Sequence, residues 1–252
     1  MKLAISGKGG VGKTTIAAAL IKSFAETHDT VYAIDGDPDA CLAAAIGVPE
    51  EVAVGLKPVV EMRDAIRAKT GDGAFYTLNP RLDDALDDYC YRHGKIKFLR
   101  MGGVKKGGSE CYCRENTFLH ALITSLLLDN NEAVIIDMGA GIEHLSRGTA
   151  QGVDLMLVVV EPSRNSVHTA RLIKKMAADL GIRKVKIIAN KIRSPREKEF
   201  IEESFQPEEV LGFIGFNSTI WESAMENPAL AGEELLKGMR EVREKILGEA
   251  GD

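Results

Sequence analysis

Residues 7–15 read Gly-Lys-Gly-Gly-Val-Gly-Lys-Thr-Thr and follow the apolar run Leu3-Ala4-Ile5-Ser6 directly. Such a glycine loop between a short apolar run and a helix-forming one commits the chain to a strand–loop–helix unit. Its backbone can approach a phosphorylated ligand closely. Two patterns fit. Gly7, Gly12, Lys13 and Thr14 satisfy the phosphate-loop spacing G-x-x-x-x-G-K-[ST]. Gly7, Gly9 and Gly12 equally satisfy the dinucleotide fingerprint G-x-G-x-x-G, with Asp35 near the place of a ribose-binding acid. The first predicts a nucleoside triphosphatase, the second a nicotinamide or flavin enzyme.

The rest of the chain predicts alternating strands and helices. Strands are expected over 2–6, 30–34, 97–101, 133–136, 154–160, 185–189 and 210–214. A helix is expected from Thr14, where Ile16, Leu20, Ile21 and Phe24 recur at helical spacing. Others are expected over 41–46, 59–69, 118–128, 163–180 and 233–247, with Cys41 a small core residue of the first of these. With no repeat and no linker, this pattern predicts one α/β domain over 1–252 built on a mainly parallel sheet covered by helices.

Lys13-Thr14 and Asp137 decide between the two glycine patterns. A dinucleotide site has no use for a lysine and a threonine at the mouth of the helix, whereas a triphosphate site needs both. The N–H groups of Gly9, Gly10, Val11, Gly12 and Lys13 would cradle phosphate oxygens. The Lys13 ammonium would reach the β- and γ-phosphates, and the Thr14 hydroxyl would ligate Mg²⁺, with Thr15 counted among the cofactor-binding residues of the loop. The run Ala133-Val134-Ile135-Ile136-Asp137 is an apolar strand ending in an acid, the place of a Walker B aspartate. The expectation is a P-loop NTPase that binds ATP or ADP with Mg²⁺.

Composition narrows the setting. A net charge of -5 gives no drive toward nucleic acid or an anionic membrane. The longest apolar run, Leu155–Val160, suits a strand buried on both faces and is far too short to cross a bilayer. Four cysteines without a signal peptide ahead of them lead to the expectation of a reducing cytoplasm.

Lys8-Gly9-Gly10-Val11-Gly12-Lys13-Thr14 resembles the deviant Walker A motif of the MinD/ParA/nitrogenase-iron-protein class of ATPases. The resemblance implies a catalytic Lys8 that reaches across a homodimer interface to the partner's nucleotide. It also implies a switch I aspartate, best matched by Asp37, with Asp35 second; Asp39 reads instead as a helix cap. Switch II corresponds to Asp137-Met138-Gly139-Ala140-Gly141. Asn190-Lys191 corresponds to the adenine-contacting position, with a simple turn asparagine as the competing reading. Residues 213–217 fall where relatives close the base pocket.

Two further stretches, 106–116 and 138–145, are similar to signatures of the CooC-type ATPases, accessory proteins for nickel insertion into carbon monoxide dehydrogenase. That family implies an ATP-hydrolysing metallochaperone with carbon monoxide dehydrogenase as client. A paralogue serving acetyl-CoA synthase is not separable from it by sequence. A MinD- or ParA-like positioning switch is the other reading. The charged helix over 233–247 and the acidic balance count against its membrane or DNA partner.

Cys111 and Cys113 form a C-x-C within a glycine-rich segment, 102–116, expected to be mobile and metal-binding. In an extended segment the two thiolates face one side, but two make an incomplete site for a soft or borderline ion. A twofold dimer would bring four to one ion, and the family resemblance implies that arrangement, with Ni²⁺ or Zn²⁺ at the interface. Two alternatives stay open: a site within one chain that also uses Cys90 and His93, and reduced thiols with no metal.

Overall fold

The computed structural model of the chain describes residues 1–37, 41–59, 89–101, 131–139, 152–220, 222 and 232–250. In chain order these form β1 (Lys2–Gly7), α1 (Lys13–Thr27), β2 (Thr30–Gly36), α2 (Leu42–Ile46), α3 (Glu50–Gly55), β3 (Cys90–His93) and β4 (Ile96–Arg100). Then come β5 (Glu132–Met138), β6 (Leu155–Val160), α4 (Arg164–Asp179), β7 (Val185–Ile192), α5 (Pro195–Ser204), β8 (Val210–Gly215) and α6 (Glu233–Ala250). The strands make one eight-stranded sheet of order β3-β4-β2-β5-β1-β6-β7-β8. Every pairing is parallel except the β3–β4 edge hairpin, which turns at Gly94 with φ 61°.

Side chains alternate across the sheet, and each face carries its own core. Leu3 and Ile5 of β1 pack with Ile16, Leu20 and Phe24 of α1 and with Met239 and Val242 of α6. Ala4, Val134, Ile136 and Val158 meet Val167, Ala170 and Ile173 of α4 and Ile201 of α5 on the other face. All six residues of β6 are buried, which is why it reads as an unbroken apolar run. Burial of each large side chain in α1 contributes about 1.5–3 kcal/mol.

This order sets the functional geometry. From β1 the chain crosses to β2 on one side of the sheet, whereas from β6 it proceeds to β7 and β8 on the other. The loop after β1 therefore opens at the carboxyl edge where the winding reverses, the place where open α/β sheets bind ligands. Helices α4 and α5 are capped by Ser163 and Ser194, whose hydroxyls accept the N–H groups of Ser166 and Glu197 at 3.2 and 3.3 Å. Helix α1 has no side-chain cap; Gly12 stands there in a left-handed conformation.

The alternation and the parallel sheet match expectation, and several boundaries differ. Strands β2, β5 and β7 run on through Asp35, Asp137 and Asn190-Lys191, because pairing continues past the last apolar residue: Asp35 stands opposite Asp137 and Gly36 opposite Met138. Cys41 is exposed at the start of α2 rather than core; Leu42, Ala43, Ala45 and Ile46 supply the buried positions. Helices α3 and α5 and strand β3 were not anticipated. Apart from Val59, the helices expected over 59–69 and 118–128 lie outside the described residues, as does the 102–116 segment. No described helix is long and apolar enough to cross a membrane.

Candidate nucleotide-binding site

The loop between β1 and α1 needs its glycines individually. A Cβ at Gly7 would stand 2.4 Å from the Val159 carbonyl oxygen, and one at Gly12 would stand 2.6 Å from Asn190 Nδ2. Gly10 has open space but φ 80°, so conformation rather than crowding requires it. The loop is thus pressed against β6 and β7, and the uncapped amides of the first turn of α1 are left for an anion.

Lys13 is 7% exposed, and its Nζ donates to the Lys8 carbonyl at 3.4 Å. Burial lowers its pKa, while the charges of Asp137 and Asp37 raise it again. The fold therefore brings Lys13, Asp37 and Asp137 from three segments within electrostatic reach of one another. Asp137 is 1% exposed, and its pKa is pushed up to about 6 by burial first, with Asp37 adding to the rise. Thr14 and Lys13 lie close enough to oppose that rise. Even so, neither Asp137 oxygen has a hydrogen-bond partner of good geometry among the described residues, and the Ser6 hydroxyl nearby in sequence to the loop is likewise unpartnered.

A buried carboxylate without partners is costly in isolation and suits a cation. Thr14 and Asp137 thus fit the donor set of a magnesium ion, which takes few protein oxygens and completes its shell with phosphate and water. Among the described residues no group of three or more His, Cys, Asp or Glu is arranged to hold a metal by itself. Cys111 and Cys113 lie outside the described residues, as do Ala140 and Gly141 of the expected switch II. Cys90 and His93 stand three apart on β3, so strand alternation sends them to opposite faces, which counts against one chelate from both.

The carboxyl end of β7 holds the loop from outside. Asn190 is 8% exposed and its Nδ2 donates to the Val11 carbonyl at 2.8 Å. Lys191 donates to the Gly10 carbonyl at 2.5 Å and pairs with Glu161 at 3.4 Å. Lys191 has φ 62°, the one positive value outside glycine among the described residues, and β7 and β8 shift register there. Both residues were expected to meet the base; their grip on the loop joins positions about 180 apart in sequence and has no local signal.

Beside them opens a cavity of about 210 Å³, lined by Thr15, Ile16, Asn190, Phe216, Asn217 and Ile220 among others. Arg193 stacks on the Phe216 ring, 4.2 Å from its centroid. A larger cavity of about 550 Å³ lies at the opposite edge of the sheet, around Met1, Asp154, Arg183 and Lys184, away from these groups.

The family profile of the CobQ/CobB/MinD/ParA nucleotide binding domain matches residues 2–230. The chain belongs to that family. Among curated relatives, it is 44% identical over 224 residues to the carbon monoxide dehydrogenase accessory protein CooC of Rhodospirillum rubrum, covering 87% of this chain and 85% of that one. It is 41% identical over 231 residues to an uncharacterized ATP-binding protein of Methanocaldococcus jannaschii, covering 88% of each. Among solved structures, the septum site-determining protein MinD complexed with Mg-ADP from Pyrococcus horikoshii aligns with a TM-score of 0.69 at 22% identity. That alignment covers 99% of this chain and 97% of the other. A chain of the MinC:MinD cell division protein complex of Aquifex aeolicus gives 0.71 at 18% identity, covering 98% and 95%. The fold is accordingly the P-loop NTPase fold of the MinD/ParA group.

Proposed function

We propose that this protein is an ATP-hydrolysing accessory factor, active as a homodimer in the cytoplasm, that assists nickel insertion into a carbon monoxide dehydrogenase. The observation that carries the reading is the likeness to the CooC protein over 87% of the chain, joined to a complete phosphate loop with Asp137 beside it.

The residues divide the work as follows. The N–H groups of Gly9, Gly10, Val11, Gly12 and Lys13 bind the triphosphate, and Lys13 draws charge off the β- and γ-phosphates. Thr14 would hold magnesium directly and Asp137 would hold its shell; the ion would supply positive charge to offset that of the phosphates. Asp37 orients the attacking water. Lys8 of a second copy neutralises the charge that develops on the leaving group.

Asn190 selects the base. Its Nδ2 gives one N–H to the Val11 carbonyl, which fixes the amide and leaves the oxygen as an acceptor beside the second N–H. An acceptor there suits the exocyclic amine of adenine and opposes the carbonyl of guanine. Asn190→Ala should weaken ATP binding on the order of tenfold, since it also leaves the Val11 carbonyl without that donor. It should also shrink the preference for ATP over GTP. Calorimetric titration with both nucleotides checks this; an unchanged preference removes Asn190 from the base site.

Nickel is cargo in this reading. Cys111 and Cys113 from two copies would supply four thiolates, a closed set for a borderline ion. The expected stoichiometry is one Ni²⁺ or Zn²⁺ per two chains, lost in Cys111→Ala and in Cys113→Ala. Metal analysis on the purified dimer decides it, paired with nickel-dependent activation of a carbon monoxide dehydrogenase in cells lacking their own factor. One metal per chain that survives both substitutions, or no activation, overturns the assignment.

A further inference from the structure

Asp35 takes no part in the reading above, yet both of its carboxylate oxygens are held by backbone N–H groups. It lies in β2, 1% exposed, in register with Asp137 on β5. Its own carbonyl accepts the N–H of Met101 at 3.0 Å. One carboxylate oxygen, Oδ1, accepts the N–H of Asp37 at 3.2 Å. The other, Oδ2, accepts the N–H of Leu42 at 3.1 Å. A single buried group therefore touches the chain where it leaves β2 and again where α2 begins.

The second contact fills a local gap. Leu42 opens α2, and Cys41 at its N-cap makes no side-chain hydrogen bond to the helix. First-turn amides need an acceptor, and Asp35 provides one from the neighbouring strand. The first contact is a turn of the Asx type that folds Asp37 back over the end of β2. An asparagine would avoid repulsion from Asp137 but has one acceptor oxygen instead of two. Burial and the Asp137 charge push the Asp35 pKa up to about 7, so the arrangement is held against an electrostatic cost.

We infer that Asp35 is a positioning residue whose two oxygens fasten both ends of the connection between β2 and α2 and thereby set where Asp37 stands relative to Lys13. The role in hydrolysis rests on the ATPase reading; the fastening itself does not. With Asp37 so placed, the water it orients is aligned without further ordering of the chain. With the clamp lost, nucleotide still binds through the phosphate loop, and the catalytic step slows.

The test has two arms. In nucleotide-free protein, amide hydrogen exchange should quicken at least tenfold at Asp37 and Leu42 in Asp35→Ala. In Asp35→Asn it should quicken at one of the two, with Val31 and Ala33 in the middle of β2 unchanged in both variants. In the kinetic arm, Asp35→Ala should lower kcat for ATP at least tenfold while the Kd for Mg·ADP changes less than threefold, and Asp35→Asn should fall between it and wild type. Wild-type exchange at Asp37 and Leu42 in Asp35→Ala overturns the inference, as does uniform quickening along β2 or an unchanged kcat. Should Asp35→Ala fail to fold, the one-sided exchange in the near-isosteric Asp35→Asn decides. A wild-type protein that hydrolyses no ATP refutes the ATPase reading instead, and the exchange arm still judges the clamp.

Discussion

Lys13→Ala should abolish measurable ATP hydrolysis, lowering kcat by at least about a hundredfold, the usual effect of deleting one donor aimed at transition-state charge. The expectation rests on where Lys13 sits. Lys13 is nearly buried beside the loop, and the charges of Asp137 and Asp37 favour its protonated form. Deleting it removes the cation that would meet the phosphates and leaves two acids facing an incoming polyanion. Lys13→Arg should not restore activity, because a planar guanidinium does not fit the space of a compact ammonium packed under the loop. Phosphate release under saturating Mg·ATP is the measurement, with thermal melting to show that the fold survives. Hydrolysis at the wild-type rate in Lys13→Ala would sink the phosphate-loop mechanism.

Asp137→Asn should move stability and nucleotide binding in opposite directions. In the folded chain the Asp137 pKa is raised from 3.8 to about 6, so the native state binds this proton more tightly than the unfolded chain does. Its favourable contribution is present below the unfolded value and is lost as pH rises through about 6. At pH 8 the ionised, buried carboxylate destabilises the nucleotide-free protein by roughly 2–3 kcal/mol. Asparagine, which never ionises, should therefore raise the melting temperature at pH 8 by several degrees and flatten its fall between pH 4 and 7. The same change removes the charge that would hold magnesium, so Mg²⁺ should no longer tighten ATP binding. Melting curves with nucleotide, in magnesium and in chelator, give both readouts; a wild-type response to magnesium contradicts the assignment of Asp137.

What could be read from the residues was what is local. Gly7 to Thr14 announces itself because one loop carries its whole chemistry, and the six apolar residues of β6 could only be a strand buried on both faces. The strand ends were misjudged at Asp35, Asp137 and Asn190 for one reason. Polarity marks the edge of the core, but backbone pairing continues beyond it wherever a neighbouring strand does. Strand β3 escaped notice because Cys-Tyr-Arg-His has no alternation, and its pairing with β4 alone makes it a strand. Helix α5 was legible and missed: Ser194-Pro195 with Glu197 is a start signal with a mechanism. Cys41 reads as core from its alanine-rich surroundings, although a residue at the start of a five-residue helix need not share its buried face. Lys13, Thr14 and Asp137 stand out by motif alone, whereas the grip of Asn190 and Lys191 on the loop depends on a strand order that no short window contains.

That grip also dictates when the site comes into being. The glycine loop is made first, but the strands that flank β1 begin at Glu132 and Leu155, and the donors to Gly10 and Val11 arrive only with Asn190 and Lys191. Contacts of such long sequence separation form late, because the intervening chain must be closed before they give any return. A nascent chain emerging from the ribosome therefore carries the phosphate-binding sequence long before it has a shaped nucleotide site. Until Asn190 and Lys191 are added, the Gly10 and Val11 carbonyls lack the donors that hold them in the finished fold.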